Sequence, residues 1–402
     1  MTDRFRSLDV FRGATVELMI LVNNPGSWNA LYPPLAHAPW HGCTPTDLVF
    51  PFFLFAVGNA LAWVMPGLQA AGAAVFWPRV LRRTAVIFAL GLLLNAAPFV
   101  RWDAQGDLVL RSWETLRWMG VLQRIALCFG AAAVIVWVLD RSHPRGAAKA
   151  PAVPRATGPL WACAALLIGY AAACHGLGAV GDPFSLQGWF GTALDIQLLG
   201  ADHLYRGEGQ PFDPEGLAST APAVAQVLLG WWVGHSLVGR RLDAQVVSRL
   251  CLWAVALLVA AYLWQLDMPL NKKIWTPSYV LHTTGLAMLA LAVCIHLIEV
   301  RARPAELRVW VRFFEVFGRN PLLLFVLSGL VPRFLGLWRW QAGVDALGAP
   351  VWTSPLPWLY QAVLRPLTTD PRLASLVFAW VQVLVYAALA WWLDKRRIHI
   401  RV

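Results

Sequence analysis

Charge is what this sequence has least of. Of its 402 residues only 14% are Asp, Glu, Lys or Arg, whereas 58% are hydrophobic. A soluble domain carries about 25% charged residues. With a mean hydropathy of +0.56, the chain has too little polar surface for a water-soluble particle, which excludes that class. Metal-binding spacings are also missing. None of Cys43, Cys128, Cys163, Cys174, Cys251 and Cys294 stands at metal-ligand distance in sequence from another, so no metal is expected. Most lie in apolar runs and read as buried, inert thiols. Only Cys43 and Cys174 fall toward one common face, where a disulfide stays open. No cleavable leader is expected, because the first apolar run begins after Arg12 and meets Asn23-Asn24-Pro25 rather than a small-residue cleavage site. No repeat is visible, so residues 1–402 are expected to form a single transmembrane domain. No basic patch interleaved with aromatics accompanies the net charge of +11, so nucleic acid is not an expected partner.

What is present is a set of ten apolar runs, at about 13–24 (extended by 8–12), 47–65, 79–97, 117–139, 159–175, 219–238, 249–266, 276–298, 313–331 and 373–393. A bilayer needs roughly 17–25 apolar residues per helix. The expected fold is therefore an all-α polytopic membrane protein of about ten transmembrane helices. The 23 Trp residues suit aromatic belts at the two interfaces. With the N-terminus inside, the inner segments hold 21 Lys and Arg and the outer ones 10. That bias, with an even number of spans, predicts N-in and C-in. The outer loops are long, about 25–46, 98–116, 176–218 and 332–372. The inner segment 140–158, rich in Pro, Ala and basic residues, reads as a linker.

Polar residues inside the apolar runs are the candidates for chemistry. Arg124, several residues into the fourth run, needs a buried anion, a ligand or a water cavity. A structural ion pair with Asp9 or Glu17 would also satisfy it. Arg12 and Asn23 are eleven residues apart, about three helical turns, and so share a face roughly 16 Å apart. Asp9, three before Arg12, lies near the same face. The first outer loop carries His37-Ala38-Pro39-Trp40-His41-Gly42, then Asp47. An imidazole oriented by a carboxylate can move a proton near neutral pH. The loop 176–218 holds one basic residue, Arg206, against Asp182, Asp195, Asp202, Glu208, Asp213 and Glu215, which suits a cationic ligand or an ordinary solvated loop. The helix-capping reading of Ser219-Thr220 is strong. The polar stretch Pro269–Tyr279, with Asn271, Lys272 and Lys273, ends at an aromatic belt.

Taken together, Arg6–Gly13, Val22-Asn23, His37–Gly42 with Thr44, Asp47–Pro51, Gly120–Ile125, Asp213–Gly216, Asn271–Tyr279 and Gly318–Asn320 resemble the transmembrane heparan-α-glucosaminide N-acetyltransferases and their bacterial relatives, in order and over nearly the whole chain. The resemblance implies an acyltransferase of the bacterial inner membrane. It would move acetyl from cytoplasmic acetyl-CoA, as co-substrate, to the amine of a glucosamine-type sugar on the far side. It implies His37 as general base or acetyl carrier with Asp47 as its partner. Arg12, Asn23 and Arg124 would serve acetyl-CoA, and Trp40, Asp213, Glu215, Asn271 and Lys272 the sugar. A homodimer is a further expectation. Two features depart from the animal enzymes. No soluble lumenal domain precedes the first span, which points to a small sugar in place of heparan. Position 41 is His where the animal motif has Asn, which leaves two imidazoles at the motif. An amino-sugar transporter without chemistry, or an acyltransferase with another acceptor, stays open.

Overall fold

A computed structural model of the chain describes residues 5–103, 105–140, 157–301 and 305–400, with the side chains of 305 and 306 outside the description. Every apolar run is helical. The helices are α1 (Arg6–Asn23), α2 (Val49–Ala71), α3 (Ala73–Ala96), α4 (Val121–Leu139), α5 (Thr157–Leu177), α6 (Phe190–Leu199), α7 (Thr220–Leu237), α8 (Ala244–Trp264), α9 (Pro277–Ile295), α10 (Ala305–Arg319), α11 (Pro321–Leu335), α12 (Pro355–Trp358) and α13 (Pro371–Lys395). Two small antiparallel hairpins, β1 (Val100–Trp102) with β2 (Leu108–Leu110) and β3 (Trp340–Val344) with β4 (Pro350–Thr353), decorate the loops. The starts are written in sequence. Proline opens α9, α11 and α13, where its missing N–H costs nothing. Asp243 and Asp370 cap α8 and α13 through their carboxylates.

The molecule is an all-α polytopic membrane protein. By length and apolarity alone, α2, α4, α5, α8, α9 with the turn that extends it, and α13 qualify as spans, and α10 with α11 makes a seventh if counted as one. The other three helices lying on predicted runs carry more polar residues. Of these, α7 packs against α2, α4, α5 and α9 and is buried through most of its length, so it needs no lipid-facing stripe.

The ninth expected span, 313–331, is corrected. Two helices meet there at 76°. Pro321 biases the preceding residue away from the helical region, and Asn320 sits at φ −131°, ψ 48°. Within α10, Arg308, Arg312, Glu315 and Arg319 recur at three- and four-residue intervals and form one polar face. The apolar average of that run comes from its second half. The far end of α11 reaches the end of α3, where the Arg333 guanidinium donates to the Leu94 carbonyl.

Both described ends of the chain lie on one face. Arg6 pairs with Glu315 at 3.2 Å. Asp394, near the end of α13, accepts from Arg312 and Arg319. Asn320 donates to the Ile398 carbonyl at 3.0 Å and accepts from the Ile400 N–H at 2.8 Å. This is the terminal face. The opposite loop face gathers 24–48, 97–120, 178–219, 265–276 and 336–370, and Ser27 bonds there to Ser375 at the start of α13. The expected linker at 140–158 falls on 141–156, which lie outside the described residues.

Close helix contacts depend on glycine. A Cβ on Gly13 would stand 1.7 Å from the Phe314 carbonyl oxygen, and one on Gly318 would stand 1.8 Å from that of Asp9. Backbone therefore meets backbone where α1 crosses α10, as small residues permit in membranes.

Candidate active site

His37 and Asp47 are brought together at the loop face. The short helical turn at Pro45–Leu48 begins with a reciprocal cap between Thr44 and Asp47 and fixes the carboxylate beneath the loop. Asp47 Oδ2 accepts from the N–H groups of Ala38 and Thr44, both at 3.0 Å, and from the Thr44 hydroxyl at 3.1 Å. Asp47 Oδ1 lies 2.7 Å from His37 Nδ1 and 3.3 Å from Lys272 Nζ. A carboxylate saturated with donors is ionised and accepts only, so Nδ1 of His37 carries its proton and donates it. The 3.1 Å approach of Lys272 Nζ to the same nitrogen is then two donors converging on one oxygen. The Asp47 side chain is 1% exposed and that of His37 is 45% exposed. The free edge of the imidazole is available while its orienting partner is dry.

The 37–43 loop is tied to the loop between α8 and α9. Gly42 N–H donates to the Leu270 carbonyl at 2.8 Å, and Tyr279 donates to the Asp47 carbonyl at 2.5 Å. Burial pulls the Lys272 ammonium below its ordinary value, and Asp47 opposes that shift. Asn271 is fully buried. Its Oδ1 accepts from the Ile274 N–H at 3.0 Å and its Nδ2 faces His41 Nδ1 at 3.3 Å. Asn271 therefore builds the loop and faces His41. Trp40 spends its indole N–H on the Phe184 carbonyl at 2.8 Å, with its ring 5.4 Å from that of Phe212. Trp275 stands at φ 54°, a region bulky residues seldom enter, packed between Phe50 and Tyr279.

Asp213 and Glu215 do come together, but around a cation that sequence reasoning left among the loop charges. Arg117 grips Asp213 with two bonds of 2.8 and 2.6 Å and Glu215 with one of 2.5 Å, while lying 4.9 Å from the Tyr205 ring centre. The two carboxylates are thus matched within the protein. Asp195, one of the loop carboxylates, lies under the same segment. It accepts from the N–H groups of Leu217 and Ala218, and burial pushes its carboxyl up to about 6. Arg124 is fully buried beneath this loop and pairs with neither Asp9 nor Glu17. It donates to the Gly216 carbonyl at 2.9 Å and to the Ser219 hydroxyl, with its guanidinium 5.3 Å from the Trp275 ring centre. Ser219 consequently makes no side-chain cap to α7, against the capping expectation. Arg124 Nε and Nη1 are buried without a hydrogen-bond partner.

Toward the terminal face, Arg12 pairs with Asp9, and Asn23 is exposed at the other end of α1. A cavity of about 520 Å³ opens among α2, α3 and α4, lined by Leu61, Leu68, Arg79, Arg82, Arg83 and Phe129 among others. Arg83 lies over Phe129 at 4.6 Å, and its Nε is buried without a hydrogen-bond partner. The sequence listed these three arginines only as topology signals. All six cysteines are free, which settles the Cys43–Cys174 question against a bridge. Among the described residues no cluster of metal-ligating side chains is present.

No protein-family model matches the chain. It is similar to the human heparan-alpha-glucosaminide N-acetyltransferase, 27% identical over 361 residues, covering 80% of this chain and 52% of that protein. The mouse protein of the same name is 25% identical over 363 residues, covering 81% of this chain and 53% of its own length. The chain thus spans about half the length of the curated relatives it matches. These similarities, in order along a polytopic helical chain, relate it to the heparan-alpha-glucosaminide N-acetyltransferases.

Proposed function

We propose that the chain is a transmembrane N-acetyltransferase that takes acetyl from acetyl-CoA at the terminal face, which is cytoplasmic, and passes it to the amine of a glucosamine-type sugar at the loop face. The observation that carries this reading is the division of the molecule. A His–Asp pair with an open imidazole stands at one face, and a largely apolar cavity with three arginines in its wall lies nearer the other. Along α2, which starts beside Asp47, the cavity residues Leu61 and Leu68 lie about 18 and 28 Å away at 1.5 Å per residue. A substrate that spans such a gap needs an anionic head and a long arm ending in the reactive group, and coenzyme A thioesters have that form. Arg79, Arg82 and Arg83 would hold the phosphates, with Arg12 beside them.

In the transfer, the sugar ammonium first gives up one proton to water, and Nε2 of His37 takes a second from the neutral amine as it adds to the thioester carbonyl. The carbon–sulfur bond breaks, and the thiolate leaves with the proton that His37 held. The products are the acetamide and free CoA. Asp47 keeps the imidazole in the productive tautomer and stabilises its charged form. Arg117 occupies Asp213 and Glu215, so recognition of a cationic sugar falls to the His37 edge more than to them. An acetylated imidazole on His37 would be the covalent variant of the same step. The test is acetyl transfer by purified protein supplied with acetyl-CoA and glucosamine. CoA release and N-acetylglucosamine should appear one for one. His37→Ala should bring the rate to background and leave acetyl-CoA binding within about twofold, since the residue is remote from the nucleotide. Full activity in His37→Ala would contradict the proposal. Sugar uptake without CoA release would point to a transporter.

A further inference from the structure

Two imidazoles stand at the loop-face site, and their partners place protons on opposite nitrogens. His37 Nδ1 faces Asp47 Oδ1, which can only accept, so the His37 proton is on Nδ1 and the lone pair on Nε2. His41 Nδ1 faces an amide, Asn271 Nδ2 at 3.3 Å. That amide is not free to flip, because Asn271 Oδ1 is engaged by the Ile274 N–H at 3.0 Å. The NH2 group therefore points at His41 and donates. His41 holds its lone pair on Nδ1 and its proton on Nε2. Burial also disfavours the His41 imidazolium, with the charge of Asp182 opposing, which keeps the ring a neutral donor. The two histidines are linked through one short segment. Consecutive residues, Asn271 and Lys272, touch His41 and His37, and both histidines are exposed.

We propose that His41 is the hydrogen-bond donor for the acyl oxygen. Its Nε2–H would stabilise the oxyanion that forms when the amine adds to the thioester carbonyl, while Nε2 of His37 accepts the amine's proton. No proton leaves His41. The one taken by His37 goes to the departing thiolate, as in the transfer above, and the inference rests on that acetyl-transfer reading. Asn271 is then a positioning residue that fixes the His41 tautomer. A preorganised donor to a developing oxyanion acts on the transition state more than on the bound substrate.

The experiment is a comparison of kcat and KM in purified protein with acetyl-CoA and glucosamine. His41→Ala should lower kcat by roughly 10²-fold with KM for glucosamine nearly unchanged, and His41→Asn, which keeps an N–H donor, should recover part of the loss. Asn271→Asp keeps an oxygen for the Ile274 N–H and deletes the donor to His41. It should retain the thermal midpoint, lower kcat comparably, and add nothing to His41→Ala. In ¹⁵N-histidine NMR spectra, Nδ1 should be protonated in one ring of the wild type and unprotonated in the other, and Asn271→Asp should protonate both. A rise in KM with kcat intact, or an Asn271→Asp variant with unchanged kcat, would overturn the role of His41. A wild-type protein with no acetyl transfer would overturn the reading beneath it, whatever the variants do.

Discussion

Arg117 shows what a single side chain organises here. It sits just ahead of α4 and holds Asp213 and Glu215, whose segment carries the Gly216 carbonyl and Ser219 hydroxyl that Arg124 uses. Removing one partner of a buried ion pair leaves a charge stranded and costs about 3–5 kcal/mol. Asp213 is fully buried in this pair. Arg117→Met should therefore lower the thermal midpoint by many degrees, and the double variant Arg117→Met/Asp213→Leu should regain much of it. Equal midpoints for Arg117→Met and wild type would show that the pair does not hold the loop. Little of this was legible in the sequence. Asp213 and Arg117 are 96 positions apart, and no periodicity links residues at that distance. By contrast, His37 and Asp47 are ten apart on one loop, with Thr44 and Pro45 supplying the turn, so their meeting could be expected. Asn271 and Lys272 were expected from the sequence to serve the sugar. The structure gives Asn271 to His41 and gives Lys272 to Asp47.

Among the elements, α1 and α10 form the joint on which the terminal face depends. Gly13 and Gly318 let the two backbones touch, and Arg12 stands one residue before Gly13. A methyl group at either glycine meets a carbonyl oxygen at under 2 Å, and overpacking of this kind costs about 1–3 kcal/mol. Gly13→Ala and Gly318→Ala should each lower the thermal midpoint and raise KM for acetyl-CoA more than for the sugar, because Arg12 moves with α1. Gly67→Ala is the control. Nothing lies within 4 Å of its added Cβ, so it should be neutral or gain the roughly 0.5–1 kcal/mol that Ala has over Gly in a helix. Similar losses at all three positions would remove the joint from the account. Each run that hydropathy marked is helical, but this one is bent, and α6 lies within an expected loop. An apolar average over 313–331 hides a break at Asn320-Pro321, and the arginines of α10 show as a polar face only when taken at helical spacing. The proline one residue after Asn320 was the available signal.

Across the whole molecule, the two ends and the broken helix share one face and the imidazoles share the other. Basic residues are heavier on the terminal face: Arg6, Arg12, Arg79, Arg82, Arg83, Arg240, Arg241, Arg312 and Lys395–Arg397 stand there. The loop face carries the acidic segment that Arg117 ties down. If the terminal face is the inner one, its positive charge would orient the bundle and suit the polyanionic co-substrate of the proposed reaction. Sidedness is therefore the central claim, and vesicles test it directly. In inside-out vesicles, with the terminal face outward, external acetyl-CoA should acetylate glucosamine trapped within. Free CoA should appear outside, and unmodified sugar should be retained. Acetylation that requires acetyl-CoA and sugar on the same side of the membrane would contradict the account.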